Sequence, residues 1–103
     1  MRVSLSCALI FAFTALFASA RAADADRGGA LANRWCAACH IVAADQTTGQ
    51  DHPPPFATIA KLPNLSAETL AQFLMDPHPR MPDMQLSRQE AADLAAYIMS
   101  QGQ

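Results

Sequence analysis

Cys36-Ala37-Ala38-Cys39-His40 is the stretch of this 103-residue chain that decides its fold. The pattern C-x-x-C-H is the one to which haem is joined covalently, because both thiols add to vinyl groups of the porphyrin and the adjacent imidazole binds the iron. The motif therefore predicts one haem c per chain. Cys36 and Cys39 are its expected thioether residues, and His40 is its first expected axial ligand.

A C-x-x-C pair has other uses. A thioredoxin-type redox pair needs a βαβ context, which this sequence does not predict. Structural zinc needs four ligands, and the chain has no second C-x-x-C, although His52 and His78 could be recruited. The two cysteines could also pair with each other, or the motif could be a chance occurrence in a loop. Zinc and a disulfide remain the alternatives to haem.

The amino-terminal segment has the order of a secretory signal peptide. Arg2 precedes the apolar run Val3–Phe17, and small residues follow it. We expect cleavage after Ala20 or Ala22, and therefore a periplasmic bacterial protein with no stable membrane insertion after processing. An uncleaved membrane anchor is the alternative, because the run is almost as long as a spanning helix. Export favours haem, which is joined to such motifs outside the cytoplasm.

We expect residues 1–22 to be the signal peptide and residues 23–103 to form one domain. The apolar core of a domain of about 80 residues yields only a few kcal/mol of stability, so small domains commonly need a further stabilising group, which here would be haem.

The expected mature chain is mildly acidic. Without Arg2, and without Arg21 if the later cleavage site is used, it has six or five basic side chains and nine acidic ones, a net charge of −3 or −4. With no basic cluster, nucleic acid is a poor partner.

The apolar periodicity predicts three main helices. The first spans Asp24–Cys39, and a close helix crossing would explain the glycine at position 28 within it. A shorter one fits Ser66–Asp76, with Ser66 as its cap and Pro77 as its stop. Their expected apolar residues are Gly28, Leu31, Ala32 and Trp35 on the first helix, and Leu70, Phe73 and Leu74 on the second.

The last helix is the best marked, because Ser87 and Glu90 have the spacing of a capping box and Gly102 ends the apolar pattern. Its expected core face, which Tyr97 flanks, is Ala91, Leu94, Ala95, Ile98 and Met99. Residues 40–66 read as a long loop, with one or two helical turns from Phe56, that would wrap a cofactor. No segment has the pattern of a strand. The fold class is therefore all-α.

A second axial ligand must come from elsewhere, and a methionine thioether suits ferrous iron. Met81 is favoured over Met84, because neighbouring prolines stiffen its loop and a preorganised ligand loses little entropy on binding. Met75 and Met99 fall on expected helices, where a methionine is more often a core residue. The alternatives are that neither loop methionine binds, or that His52 or His78 does. Trp35 and Tyr97 are expected to be packing residues.

Three segments together resemble the small bacterial class I c-type cytochromes over the whole mature chain: Gly28 with the motif at 35–40, Pro54-Pro55-Phe56-Ala57-Thr58-Ile59-Ala60, and Met81-Pro82 followed by Leu86-Ser87-Arg88-Gln89-Glu90-Ala91-Ala92-Asp93-Leu94-Ala95-Ala96-Tyr97-Ile98. The resemblance implies one cytochrome c domain wrapped around haem, with His40 proximal and Met81 distal. It also implies that Gly28 lies where the first helix crosses the last near Tyr97. Pro54 or Pro55 would present its carbonyl to the proximal histidine.

These features predict an electron carrier and not an enzyme. With both axial positions filled, iron cycles between its ferric and ferrous forms without a small-molecule substrate. The expected partners are a donor and an acceptor, either respiratory proteins or dehydrogenases, met through transient contacts. A tightly bound haem subunit of a larger oxidoreductase is the first alternative. A gas sensor or weak peroxidase, in which the methionine leaves the iron, is the second.

Overall fold

The computed structural model describes residues 21–49, 53–76 and 79–103. Residues 1–20 of the expected signal peptide, Pro77 and the two loop histidines, His52 and His78, lie outside these ranges. The described residues form four helices and no strand, which confirms the all-α expectation: α1 (Ala25–Trp35), α2 (Phe56–Ile59), α3 (Ala67–Met75) and α4 (Arg88–Ser100). None of these helices combines the length and the apolar character that crossing a membrane requires.

Helix α4 is the centre of the fold, since each of the other three helices contacts it. It begins with the predicted capping box: the Ser87 hydroxyl accepts from the Glu90 N–H, and the Glu90 carboxylate accepts from the Ser87 N–H. The second of these bonds holds the pKa of Glu90 below its ordinary value. The predicted core face is confirmed. Ala91, Leu94, Ala95 and Ile98 are buried, and Tyr97 and Met99 pack against the core.

Helix α1 ends four residues earlier than we expected, at Trp35. The Ala37 N–H bonds to the Ala32 carbonyl, five residues back, so the helix unwinds as it reaches Cys36. The cysteine motif consequently lies in the turn after α1 rather than on the helix itself. The expectation that Trp35 packs inward is also wrong. Its side chain is 45% exposed, and the Arg34 guanidinium lies 4.9 Å from the centroid of its ring.

Helix α3 lies within one residue of its predicted bounds at each end, with Ser66 as its cap. Thr69 completes a capping box that we did not predict, because its side chain takes the place usually held by Glu or Gln. Leu70 and Leu74 are buried as expected. Phe73 was expected to point inward and is instead 44% exposed.

The crossing of α1 over α4 has no room for a side chain at Gly28. A Cβ atom placed there would collide with the Asp93 carbonyl oxygen and would lie 2.8 Å from the Tyr97 Cβ. Backbone therefore packs directly on backbone at this point. The crossing near Tyr97 that the family resemblance implied is confirmed.

Beside the crossing, the side chain of Asp93 is buried, with 2% of its surface exposed. It accepts hydrogen bonds from the Asp24 N–H at 2.7 Å, from Arg27 Nε at 3.0 Å and from Gln89 Nε2 at 2.9 Å. Burial raises the pKa of this carboxyl group, but the three donors outweigh burial and hold the pKa below its ordinary value. Asp93 thus ties the start of α1 to α4 as a satisfied buried anion.

We expect Gly28→Ala to lower the free energy of unfolding by about 2 kcal/mol or more, because the helices must separate to admit a methyl group. Gly29→Ala is the matched control. Its Cβ would lie 3.0 Å from the edge of the Tyr97 ring and would meet no backbone atom, so that the ring has to shift by only a few tenths of an ångström, and alanine favours a helix by about 1 kcal/mol over glycine. Urea unfolding of both variants and the parent measures the difference. Equal stability of the two variants would contradict the close crossing.

We expect Asp93→Asn to lower the free energy of unfolding by about 1–3 kcal/mol at pH 7, because an amide replaces one acceptor oxygen with a donor. The native pKa is depressed, so the stabilisation by the carboxylate is complete above the unfolded pKa of about 4 and is lost as the pH falls through the native pKa. The gap between parent and variant should therefore shrink in acid. Asp26→Asn, at an exposed position of α1, is the control. A gap independent of pH would contradict this account.

Candidate cofactor site

The two motif cysteines lie on opposite sides of the boundary between core and solvent. Cys36 caps α1 and is buried with 8% of its surface exposed, whereas Cys39 is exposed. The turn between them is closed by hydrogen bonds from the Cys39 N–H (3.1 Å) and the His40 N–H (2.8 Å) to the Cys36 carbonyl. A group bonded to both sulfurs would have one edge against the core and one near solvent.

The state of the Cys36 thiol weighs against a thioredoxin-type redox pair. Burial, assisted by the nearby Cys39, raises the pKa of Cys36 to about 11, whereas the attacking cysteine of a redox pair must be a thiolate. The two cysteines are not joined to each other. Across residues 21–49, 53–76 and 79–103, no three His, Cys, Asp or Glu side chains converge as metal ligands.

The His40 ring is held in a defined orientation. Its Nδ1–H donates to the Pro54 carbonyl oxygen at 2.7 Å, which makes Pro54 rather than Pro55 the proline that contacts this ring. The Phe56 ring lies 5.4 Å from the imidazole, centroid to centroid, at an interplanar angle of 49°. Because the proton is at Nδ1, the Nε2 lone pair is the one left for a metal ion.

The backbone that follows His40 is fastened to two other elements. The Phe56 N–H donates to the Ile41 carbonyl at 2.9 Å, and the Tyr97 hydroxyl donates to the Val42 carbonyl at 2.7 Å. The rings of Phe56 and Tyr97 meet edge to face at 6.3 Å. Tyr97 is therefore more than the packing residue we expected, since it joins α4 to the loop that carries His40.

Sequence reasoning did not single out Gln46, whose side chain closes the loop after His40. Its Oε1 accepts from the Val42 N–H at 3.0 Å. Its Nε2 lies within hydrogen-bonding distance of three carbonyl oxygens, those of Ala37 (3.2 Å), His40 (2.8 Å) and Thr48 (2.7 Å). No sequence signal marks a lone glutamine in a loop.

The methionines differ in their packing. Met81 is half-buried and packs against the core that contains Cys36. Met84 is half-buried too, at a turn in which the Asp83 carboxylate accepts from the Gln85 N–H at 2.8 Å and Gln85 has a φ of 53°. Of the two helical methionines, Met99 packs against the core as expected. Met75 is 44% exposed, which contradicts the expectation of a core residue.

The donor set fits a covalently held haem. It provides two thiols one turn apart, an imidazole whose Nδ1 is already occupied by a carbonyl, and a thioether against the same core. These are the groups that c-type haem attachment and His/Met ligation require. The two histidines that could complete a zinc site, His52 and His78, lie outside the described residues.

Comparison with known proteins supports the same conclusion. Residues 23–98 match the family model described as cytochrome c oxidase, cbb3-type, subunit III. The chain is 52% identical over 92 residues to cytochrome c-552 of Bradyrhizobium diazoefficiens, an alignment that covers 89% of this chain and 88% of the relative. No solved structure matched the chain.

These matches span the all-helical domain and confirm the resemblance drawn from the three sequence segments. They also agree with its chemistry, since c-type cytochromes hold haem covalently and pass electrons between redox proteins without catalysing a reaction of their own. The chain belongs to the cytochrome c family and is a monohaem electron carrier, not an enzyme.

Proposed function

We propose that Cys36 and Cys39 form the two thioether bonds to a single haem c, and that His40 and Met81 bind its iron from opposite sides. The bound haem would supply the iron centre that gains and loses one electron. The chain's own residues would provide every other function of the site. The observation that carries the proposal is the hydrogen bond of 2.7 Å between His40 Nδ1 and the Pro54 carbonyl, directly beside the two cysteines.

That hydrogen bond supports His40 as the proximal ligand in two ways. It holds the imidazole in the tautomer that leaves Nε2 free to bind a metal, and it restrains rotation of the ring. A carbonyl acceptor at Nδ1 also makes the imidazole a stronger electron donor at Nε2, as is usual for metal-bound histidines. Phe56, which directly follows Pro55, restrains the ring further through its contact at 5.4 Å.

Packing supports Met81 over Met84 as the distal ligand. Met81 already rests against the core that contains Cys36, so that binding would cost little conformational entropy. Pro79, which precedes Arg80, and Pro82, which follows Met81, restrict the backbone and so lower the entropic cost of binding further. With a histidine and a methionine on the iron, no coordination position would be open to oxygen or peroxide.

We further propose that residues 1–22 are a signal peptide, cleaved after Ala20 or Ala22, and that residues 23–103 form the mature domain. The family match, which begins at residue 23, supports this division. The order of charged, apolar and small residues supports export. The mature protein would work in the periplasm, where haem is joined to such motifs.

As a carrier, the protein would pass single electrons between a respiratory or dehydrogenase donor and an acceptor. An electron carrier must leave each partner protein quickly, so its contacts with these partners are small and transient. The net charge of −3 or −4 expected for the mature chain favours partners with a basic docking face.

A second candidate function is a haem subunit that stays bound to a larger oxidoreductase. The family description, which names an oxidase subunit, is the observation that favours it. The match to cytochrome c-552 over 88% of that protein favours the free carrier. Gel filtration of native extract separates the two functions, because a subunit co-elutes with its enzyme and a carrier elutes at its own small size.

We expect the double variant Cys36→Ser/Cys39→Ser to lose its pigment on acid–acetone extraction, because no thioether then remains. Each single variant should retain haem through the remaining sulfur. The protein is made in a host that matures c-type haem, and haem retained by the polypeptide is measured from its absorbance. Cys7→Ser, in the expected signal peptide, is the matched control and should retain haem as the parent does. Extraction of pigment from the parent would refute covalent attachment.

We expect ferric Met81→Ala to lose the far-red absorption band of the iron–thioether bond, because no sulfur then reaches the iron. Met84→Ala should keep the band and serves as the matched control, since it removes a half-buried methionine from the same loop. Optical spectra of the two variants and the parent, recorded at neutral pH, decide the assignment. Loss of the band in Met84→Ala alone would identify Met84 as the distal ligand. Persistence of the band in both variants would show that neither methionine of this loop binds the iron.

A further inference from the structure

We propose that Gln46 is a positioning residue for the axial imidazole: its amide group holds the backbone of His40 in the place from which Nδ1 reaches the Pro54 carbonyl. The inference rests on the proposed function, in which His40 binds the iron through Nε2. It concerns hydrogen bonds within the chain, so it can be measured directly on the protein.

The Gln46 side chain joins both ends of the motif turn to the loop that follows. Its Nε2 contacts the carbonyl oxygens of Ala37 and His40, on the two sides of Cys39, and that of Thr48 in the loop. Its Oε1 accepts from the Val42 N–H, two residues after His40. One side chain therefore spans residues 37–48, the segment in which the axial histidine lies.

The chemistry of these contacts requires an amide. A glutamine amide offers two N–H donors and one acceptor oxygen, and here the acceptor faces an N–H while the donors face carbonyls. The two shortest donor contacts, at 2.8 Å to His40 and 2.7 Å to Thr48, account for both hydrogens, and the Ala37 carbonyl at 3.2 Å shares one of them. A carboxylate would place negative charge against three carbonyl oxygens, and an aliphatic side chain would satisfy none of these groups.

Gln46 completes a set of bonds that surrounds the histidine. The Ile41 carbonyl is held by Phe56 and the Val42 carbonyl by Tyr97. Gln46 holds the His40 carbonyl, which precedes both of these groups, and the Val42 N–H, which lies between them. The backbone from His40 to Val42 is therefore restrained at four polar groups. The Nδ1–H contact spans 14 residues of chain, and its length depends on where that backbone lies.

The experiment compares Gln46→Leu and Gln46→Glu with the parent, as full chains made in a host that matures c-type haem. Gln72→Leu and Gln72→Glu, at an exposed position of α3, are matched controls for the change of residue type. Ser66→Ala, which removes the cap of α3, controls for a general loss of stability. The readouts are the solvent exchange rate of the His40 Nδ1–H by NMR, the ferrous-to-ferric ratio in a fixed redox buffer, and the urea unfolding curve.

We expect Gln46→Leu to accelerate exchange of the His40 Nδ1–H on the order of tenfold, because the ring is no longer held against Pro54. The ferrous fraction should rise, because an imidazole with a weaker hydrogen bond donates less charge to iron. Gln46→Glu should accelerate exchange when ionised. Protonation in acid restores one donor to that carboxyl group, so its exchange rate should return towards the parent value measured at the same pH.

Exchange in Gln46→Leu that equals that of Gln72→Leu would overturn the proposal. So would an acceleration that Ser66→Ala reproduces at equal stability, since Gln46 would then act only through the fold. Absence of covalent haem from the parent refutes the proposed function instead. Exchange at His40 Nδ1 and at the Val42 N–H, measured on that colourless protein, still decides whether Gln46 positions the ring.

Discussion

The direct contact between the backbones of α1 and α4 is the constraint on which the other elements depend. At Gly28 the helices approach until a Cβ atom would strike the Asp93 carbonyl, and the buried Asp93 carboxylate holds the start of α1 beside them. The crossing holds α1 against α4, and Cys36, which caps the end of α1, belongs to the same buried core. It also places Tyr97 of α4 where its hydroxyl reaches the loop that carries His40.

How far the sequence predicts this molecule depends on the range of the interaction involved. Ser87 with Glu90, and Ser66 as the cap of α3, were recognised because a cap is local to four residues. The sequence predicts a longer α1 than the structure shows. The Ala37 N–H bonds to the Ala32 carbonyl, five residues back, and helix propensities contain no information on such a bond. Phe73 and Trp35 have apolar side chains in helical register and are nonetheless substantially exposed, so periodicity identifies an apolar face without stating what covers each residue.

The candidate site shows the same difference between local and long-range interactions. Cys36, Cys39 and His40 lie within five consecutive residues, so a single motif carries the prediction of haem attachment at these positions. The choice between Pro54 and Pro55 needed the loop conformation, which places Pro54 against Nδ1 and leaves Pro55 as the cap of α2. Gln46 and Asp93 could not be predicted, because each gains its role from groups that meet only in the folded chain: three carbonyls for the one, three donors for the other.

The burial of Cys36 has a consequence for the order of events during biosynthesis. Cys36 belongs to the same buried core as Leu94 and Ile98 near the carboxyl end, and the Asp24 to Asp93 bond joins groups 69 positions apart. A polypeptide emerges amino terminus first, so this thiol is synthesised long before its enclosure exists. A group that bonds to this sulfur therefore has to reach it before the last helix docks.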